Sequence, residues 1–180
     1  WPLTTIRRDV QEEAVAAADL DDDGDTDLVV VDGDGRGLVW LDPGRETVVR
    51  KIGASLRWID RVAIGDLNGD RRKDIMFTEE SRDGVHKARV VWLEAPADLQ
   101  HDVWKPHALV VLRSANSLDI ADLDADGDLD VVVAEHTDLR AGAVVTDNFT
   151  GVFLNDGKGT FAVGTALAQR IAARDVSSRE

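Results

Sequence analysis

The chain has 180 residues, no cysteine and a formal net charge of −14. That length can bury a proper core, while the acidity argues against nucleic acid and anionic membrane as partners. Disulfide staples are excluded, and no apolar run approaches the roughly 20 residues of a membrane-spanning helix.

Taken in order, the chain repeats itself. Leu3–Arg7 reads as a strand belonging to a preceding unit. Ala14–Ala18 is a short apolar strand that enters the acidic stretch Asp19-Leu-Asp21-Asp-Asp23-Gly24-Asp25-Thr-Asp27, and the β-branched run Leu28–Val31 leaves it. A third strand follows at Leu38–Leu41 with Trp40 near its centre, and a fourth at Thr47–Ile52. The second pass reads Arg61–Gly65, then Asp66-Leu-Asn68-Gly-Asp70-Arg71-Arg72-Lys-Asp74, then Ile75–Thr78, Val90–Leu93 around Trp92, and Pro106–Leu112. The third reads Ser117–Ala121, then Asp122-Leu-Asp124-Ala-Asp126-Gly127-Asp128-Leu-Asp130, then Val131–Ala134, Gly151–Leu154 around Phe153, and Phe161–Leu167. Residues 171–175 read as the first strand of a following unit.

Short runs bounded by Gly, Asp and Pro are strand signals, and four of them per unit of about 45–55 residues is the pattern of a propeller blade. The fold class is therefore all-β, a β-propeller of four-stranded antiparallel blades. Blade one spans about 14–53, blade two about 61–112 and blade three about 117–168, with flanking strands within 1–8 and 170–180. Three blades cannot close a ring without leaving sheet edges open. The expectation is that the chain is a piece of a longer protein or completes its ring as a homo-oligomer.

The acidic stretches carry the chemistry. Carboxylates crowded at every second residue repel one another unless a cation is held among them. Ca²⁺ takes six to eight oxygens in a flexible shell, and the spacing offers them. In the third loop they come from the side chains of Asp122, Asp124, Asp126 and Asp130 and the main-chain carbonyl of Asp128. The matching residues are Asp19, Asp21, Asp23, Asp25 and Asp27 in the first loop, and Asp66, Asn68, Asp70, Arg72 and Asp74 in the second. The expected cofactor is structural Ca²⁺, up to three ions. The second loop is the weakest, since Asn68 replaces a carboxylate and Arg71 stands where the others have Gly24 and Gly127. An EF-hand is excluded because its twelfth loop position needs a bidentate Glu, where this chain has Val30, Phe77 and Val133.

Antiparallel strands place these loops on one face of the blades, and the other connections on the opposite face. A binding site for a glycan or a protein is expected there, from Arg57, Trp58, Glu79, Glu80, Asn116, Glu135 and His136. An aromatic platform beside planar polar groups suits a sugar ring, although Trp58 also reads as cover for the core between two blades. Trp40, Trp92 and Phe153 read as equivalent core positions. Glu135-His136 allows an acid–base pair, which leaves the propeller part of a carbohydrate-active enzyme (a lyase or dehydratase type) as the alternative function. No nucleophile elbow, zinc-protease motif or phosphate loop is present, and no catalytic residue is assigned.

The unit running from Ala121-Asp122 to Glu135, with the later Gly151-Val-Phe-Leu-Asn155-Asp-Gly157-Lys-Gly159-Thr-Phe161, resembles the FG-GAP/VCBS repeats of extracellular proteins, fungal lectins and integrin α-subunit propellers. The resemblance spans about Val15 to Leu167, though the first two units carry Asp42-Pro43-Gly44 and Glu94-Ala95-Pro96 where the third has its Gly-rich turn. It implies a propeller with Ca²⁺ between first and second strands and no single function. Calcium sites of this kind fill outside the cell. An extracellular, secreted or cell-surface binding or adhesion module, of bacterial type by its Arg-rich composition, is the resulting expectation.

Overall fold

The computed structural model describes residues 14–33, 35–43, 48–52, 58–80, 87–135 and 150–165. Within them lie twelve strands: β1 (Val15–Ala18), β2 (Asp27–Val31), β3 (Leu38–Asp42), β4 (Val48–Ile52), β5 (Ile59–Gly65), β6 (Asp74–Glu79), β7 (Ala88–Glu94), β8 (Lys105–Leu112), β9 (Ser117–Ala121), β10 (Asp130–Ala134), β11 (Thr150–Asn155) and β12 (Phe161–Val163). They form three antiparallel four-stranded meanders, β1-β2-β3-β4, β5-β6-β7-β8 and β9-β10-β11-β12. Each second strand starts at the last aspartate of its loop rather than one residue later, because Asp27, Asp74 and Asp130 are already paired with Ala18, Gly65 and Ala121. The expected flanking strands at the two ends of the chain fall outside the described residues.

Alternation along the strands sends one set of side chains to each face, and both faces of the middle sheet are covered. Val29, Val31, Leu38, Trp40 and Ile52 of the first sheet share a buried cluster with Ile75, Phe77, Val91 and Leu93 of the second. The opposite face of the second sheet, with Met76, Ala88, Val90 and Trp92, shares a cluster with Val131, Val133 and Phe153 of the third. The inner strands lie side by side, β1 against β5 and β5 against β9. Three sheets stacked face to face about their first strands have the arrangement of successive propeller blades.

Register corrects one equivalence drawn from the sequence. Trp40 pairs with Val29 and Trp92 with Met76, each two residues beyond the last loop aspartate. Phe153 pairs with Val131, only one residue beyond Asp130, and Val152 holds the place corresponding to the tryptophans. Phe153 therefore faces the preceding sheet, as Leu93 does, whereas Trp40 and Trp92 face the following one. A one-residue offset in a strand exchanges its two faces, and the apolar run Val-Phe-Leu did not reveal which residue was which.

Candidate metal centre

All three acidic loops join a first strand to a second and have the same internal design. The aspartate that opens each loop gathers the backbone of the turn. Asp19 accepts from the N–H groups of Asp23 and Gly24 at 3.1 and 3.0 Å. Asp66 accepts from Gly69 and Arg71, both at 2.8 Å, and Asp122 accepts from Ala125, Asp126 and Gly127 at 2.7, 3.2 and 3.1 Å. The closing aspartate anchors the second residue, with Leu20, Leu67 and Leu123 donating to Asp27, Asp74 and Asp130 at 2.8, 2.9 and 2.8 Å.

This wrapping needs left-handed backbone at the fourth and sixth loop residues. Those are Asp22 (φ 56°) and Gly24 (95°), Gly69 (75°) and Arg71 (72°), and Ala125 (68°) and Gly127 (99°). The middle loop thus keeps the shape of the others with its glycine moved two places, so the Arg71 irregularity noted in the sequence does not change the turn. Left-handed Asp, Arg and Ala each cost of order 1 kcal/mol or more, so the carboxylate hydrogen bonds hold the loop in a shape its residues do not prefer.

The conformation turns carboxylates inward. Ligand oxygens of Asp19, Asp21 and Asp27 lie within 4.8 Å of one another, as do those of Asp122, Asp124 and Asp130 at the same three loop positions, and those of Asp21, Asp23 and Asp42. Asp42, on β3 and buried, was not foreseen as part of the site. The pairing of β3 with β2, with Leu41 beside Leu28, brings it there, and no local spacing signals it. The crowding of carboxylates shows in their acidity. Burial foremost, then Asp21 and Asp42 nearby, raises the Asp27 pKa. Asp124 is raised by desolvation and then by Asp126 and Asp130, and Asp128 by desolvation and then by Asp126, Asp122 and Asp156. Asp74 is pushed up to about 6, chiefly by burial. Oδ1 of fully buried Asp27 accepts no hydrogen bond, which leaves it available to a metal ion.

The matching oxygen in the other loops is occupied. Asp74 Oδ1 accepts from Ala95 N and Asp130 Oδ1 from Asn155 N, both at 2.8 Å. The residue at that place in the first sheet is Pro43, which has no N–H to give. The Trp40 indole N–H acts on the Asp27 carboxyl but is not aligned for a hydrogen bond.

A family model for the FG-GAP-like repeat matches residues 19–77. This stretch is similar to an FG-GAP-like repeat. It begins on the first acidic loop and ends in β6, so it takes in the first two loops and the strands β2 to β5, while β1 lies just before it. A comparison with curated proteins gives no match. The third loop repeats the hydrogen bonds and backbone angles of the two inside the FG-GAP-like stretch.

Each FG-GAP-like loop also touches the next sheet. Leu20 is buried with Ala95 and Trp104 of the second sheet, and Leu67 with Val131 and Phe153 of the third. Asn155, at the end of β11, donates from its amide to Leu67 O at 2.8 Å and Leu129 O at 3.0 Å, tying the second and third loops together.

The residues expected on the opposite face lie at the far ends of the strands. Trp58 is half-buried at the seam between the first two sheets, with the Arg36 guanidinium 5.1 Å from its ring centroid and its carbonyl accepting from Glu80 N at 2.7 Å. Asn116 bonds Glu80 across to the third sheet. Glu79 is almost fully buried and paired with Arg89, which donates from Nε at 2.6 Å, so its carboxylate faces into the sheet. Glu135 accepts from Arg113 N at 2.8 Å. Arg57 and His136 lie outside the described residues.

Proposed function

We propose that the protein is an extracellular, Ca²⁺-stabilised β-propeller module for binding or adhesion, with a glycan or protein partner on the face opposite the acidic loops. The observation that supports it most is the repetition of one inward-facing carboxylate triad at the same loop positions, Asp19/Asp21/Asp27 and Asp122/Asp124/Asp130. Within them, burial and neighbouring carboxylates raise the pKa of Asp27 and of Asp124, which marks charge that an ion would neutralise. Ca²⁺ supplies a hard, oxygen-seeking charge of flexible geometry. The loops contribute the carboxylates, hold them by backbone hydrogen bonds, and carry Leu20 and Leu67 into the next sheet, so an ordered loop also welds neighbouring blades. Binding at ten to a hundred times Kd would add about 1.4–2.7 kcal/mol per site.

For the partner face the support is geometric. Trp58, Arg36, Glu80 and Asn116 converge where connections from three sheets meet, and connections of this sort tend to carry recognition. The test has two arms. Chelation should lower the melting temperature, and Ca²⁺ should restore it better than Mg²⁺, which gives up its waters reluctantly. Identical melting curves with and without chelator would remove the metal. A glycan array and pull-down from extracellular protein, each repeated with Trp58→Ala, should then lose the specific partner; retention of every hit by that variant rejects this face.

A further inference from the structure

The three loops share a backbone but not a charge. Residues 19–27 contain six carboxylates and no cationic side chain, and residues 122–130 contain five and none. Residues 66–74 contain three carboxylates, Asp66, Asp70 and Asp74, and three cations, Arg71, Arg72 and Lys73. The formal loop charges are therefore −6, 0 and −5 in chain order.

The difference concentrates at the seventh residue. In the outer loops it is Asp25 or Asp128, a further carboxylate among carboxylates. In the middle loop it is Arg72. Its guanidinium is ion-paired with Asp70 Oδ2 and donates from Nε to Ala95 O at 2.9 Å. Asp70 Oδ2 also accepts from the Asn68 amide at 3.1 Å, and Asp70 Oδ1 from Arg72 N at 2.9 Å. Ala95 N in turn donates to Asp74. A series of bonds results, Asp70–Arg72–Ala95–Asp74, that ties the loop to the end of β7 with protein groups alone. The Asn68 amide nitrogen, a donor, points at the same carboxylate that a metal ion would need.

We propose that Arg72 is the resident counter-ion of the middle loop, so that this loop folds without metal and the protein takes up two Ca²⁺ ions, in the first and third loops. The inference rests on the Ca²⁺ reading of those two loops and refines it. A delocalised guanidinium that hydrogen-bonds in a fixed fork can hold a carboxylate and a carbonyl at once, which is the task a metal ion performs in the neighbouring loops. The middle blade is then a permanently ordered centre, flanked by two blades whose loops answer to calcium.

The test is a count of bound Ca²⁺ on the full chain by native mass spectrometry and calorimetry after chelator treatment. Two ions are expected for the unaltered protein and three for the Asn68→Asp/Arg72→Ser double variant. Three ions in the unaltered protein would overturn the inference while leaving the Ca²⁺ reading intact, whereas none would remove both. A double variant that still binds two would show that Arg72 is not what keeps the ion out. Should that variant fail to fold, Arg72→Gln gives an independent readout. In chelator it should melt a few degrees below the unaltered protein, about 2–4 °C for each kcal/mol lost, and Ca²⁺ should recover more than it does for the unaltered protein. No loss in chelator would overturn the counter-ion role.

Discussion

Pro43 holds the place in the first sheet that Ala95 and Asn155 hold in the second and third, and because proline has no N–H it cannot give Asp27 the hydrogen bond that those residues give Asp74 and Asp130, so one oxygen of a fully buried carboxylate is left without one. Three aspartates at one loop position thus have two different environments. In chelator, Asp74→Asn and Asp130→Asn should each cost about 1–3 kcal/mol, since a charge-assisted double acceptor is lost and an amide can meet a backbone donor. Asp27→Asn should cost less than either, because it removes a desolvated charge that has only one backbone donor to lose. Chemical denaturation of the three variants checks the ranking; an Asp27 variant as damaged as the other two would contradict it.

Acidity should act in opposite senses with and without metal. Asp74 has a folded pKa of about 6 against an ordinary 3.8, and Asp27, Asp124 and Asp128 are raised as well. A carboxyl whose folded pKa exceeds its unfolded value binds protons preferentially in the folded state, so stability rises as pH falls through that window and levels off below the unfolded pKa. For Asp74 the window runs from about 6 down to 3.8. Glu94, lowered by His107 and Lys105, opposes this only at lower pH. In chelator, melting temperature should therefore increase from neutral pH towards about pH 5. In excess Ca²⁺ it should decrease over the same range, because protons compete for the ligand oxygens. Parallel slopes in the two buffers would mean that the loops hold no ion.

Gly69 and Gly157 bring two backbones together across the second and third sheets. A Cβ on Gly69 would sit 2.6 Å from the Gly157 carbonyl oxygen, where φ is also +75°. Gly24, at φ +95°, has open space instead. Gly69→Ala should cost about 1–3 kcal/mol more than Gly24→Ala, the difference measuring the contact between blades apart from the backbone penalty. Equal losses by thermal melting would show that the third sheet's turn does not press on the second loop.

Ala125 carries a φ of 68° that glycine adopts freely. Ala125→Gly should stabilise the metal-free protein by about 0.5–1 kcal/mol, the steric relief exceeding the added unfolded-state freedom. Arg71→Gly should act in the same direction at φ 72°. Neither changes a carboxylate, so Ca²⁺ stoichiometry should stay as it is.

The strands and loops were legible because both are written in local order. Period-two burial and β-branched runs mark strands, and alternating aspartates mark a turn that must gather oxygens whatever surrounds it. Thus β9 falls at Ser117–Ala121 as read, and others such as β2, β6 and β10 gain the closing aspartate. Tertiary structure decided what depends on a partner far along the chain. It gave Phe153 the face opposite to Trp92, brought Asp42 beside Asp21 and Asp23, and set Glu79 on Arg89. It also seated Arg72 between Asp70 and the Ala95 carbonyl. A pattern of residues fixes which groups lie near one another within a turn. Whether a given carboxylate meets an N–H, a guanidinium or a proline from the third strand is set by register between strands, and local spacing contains no record of it.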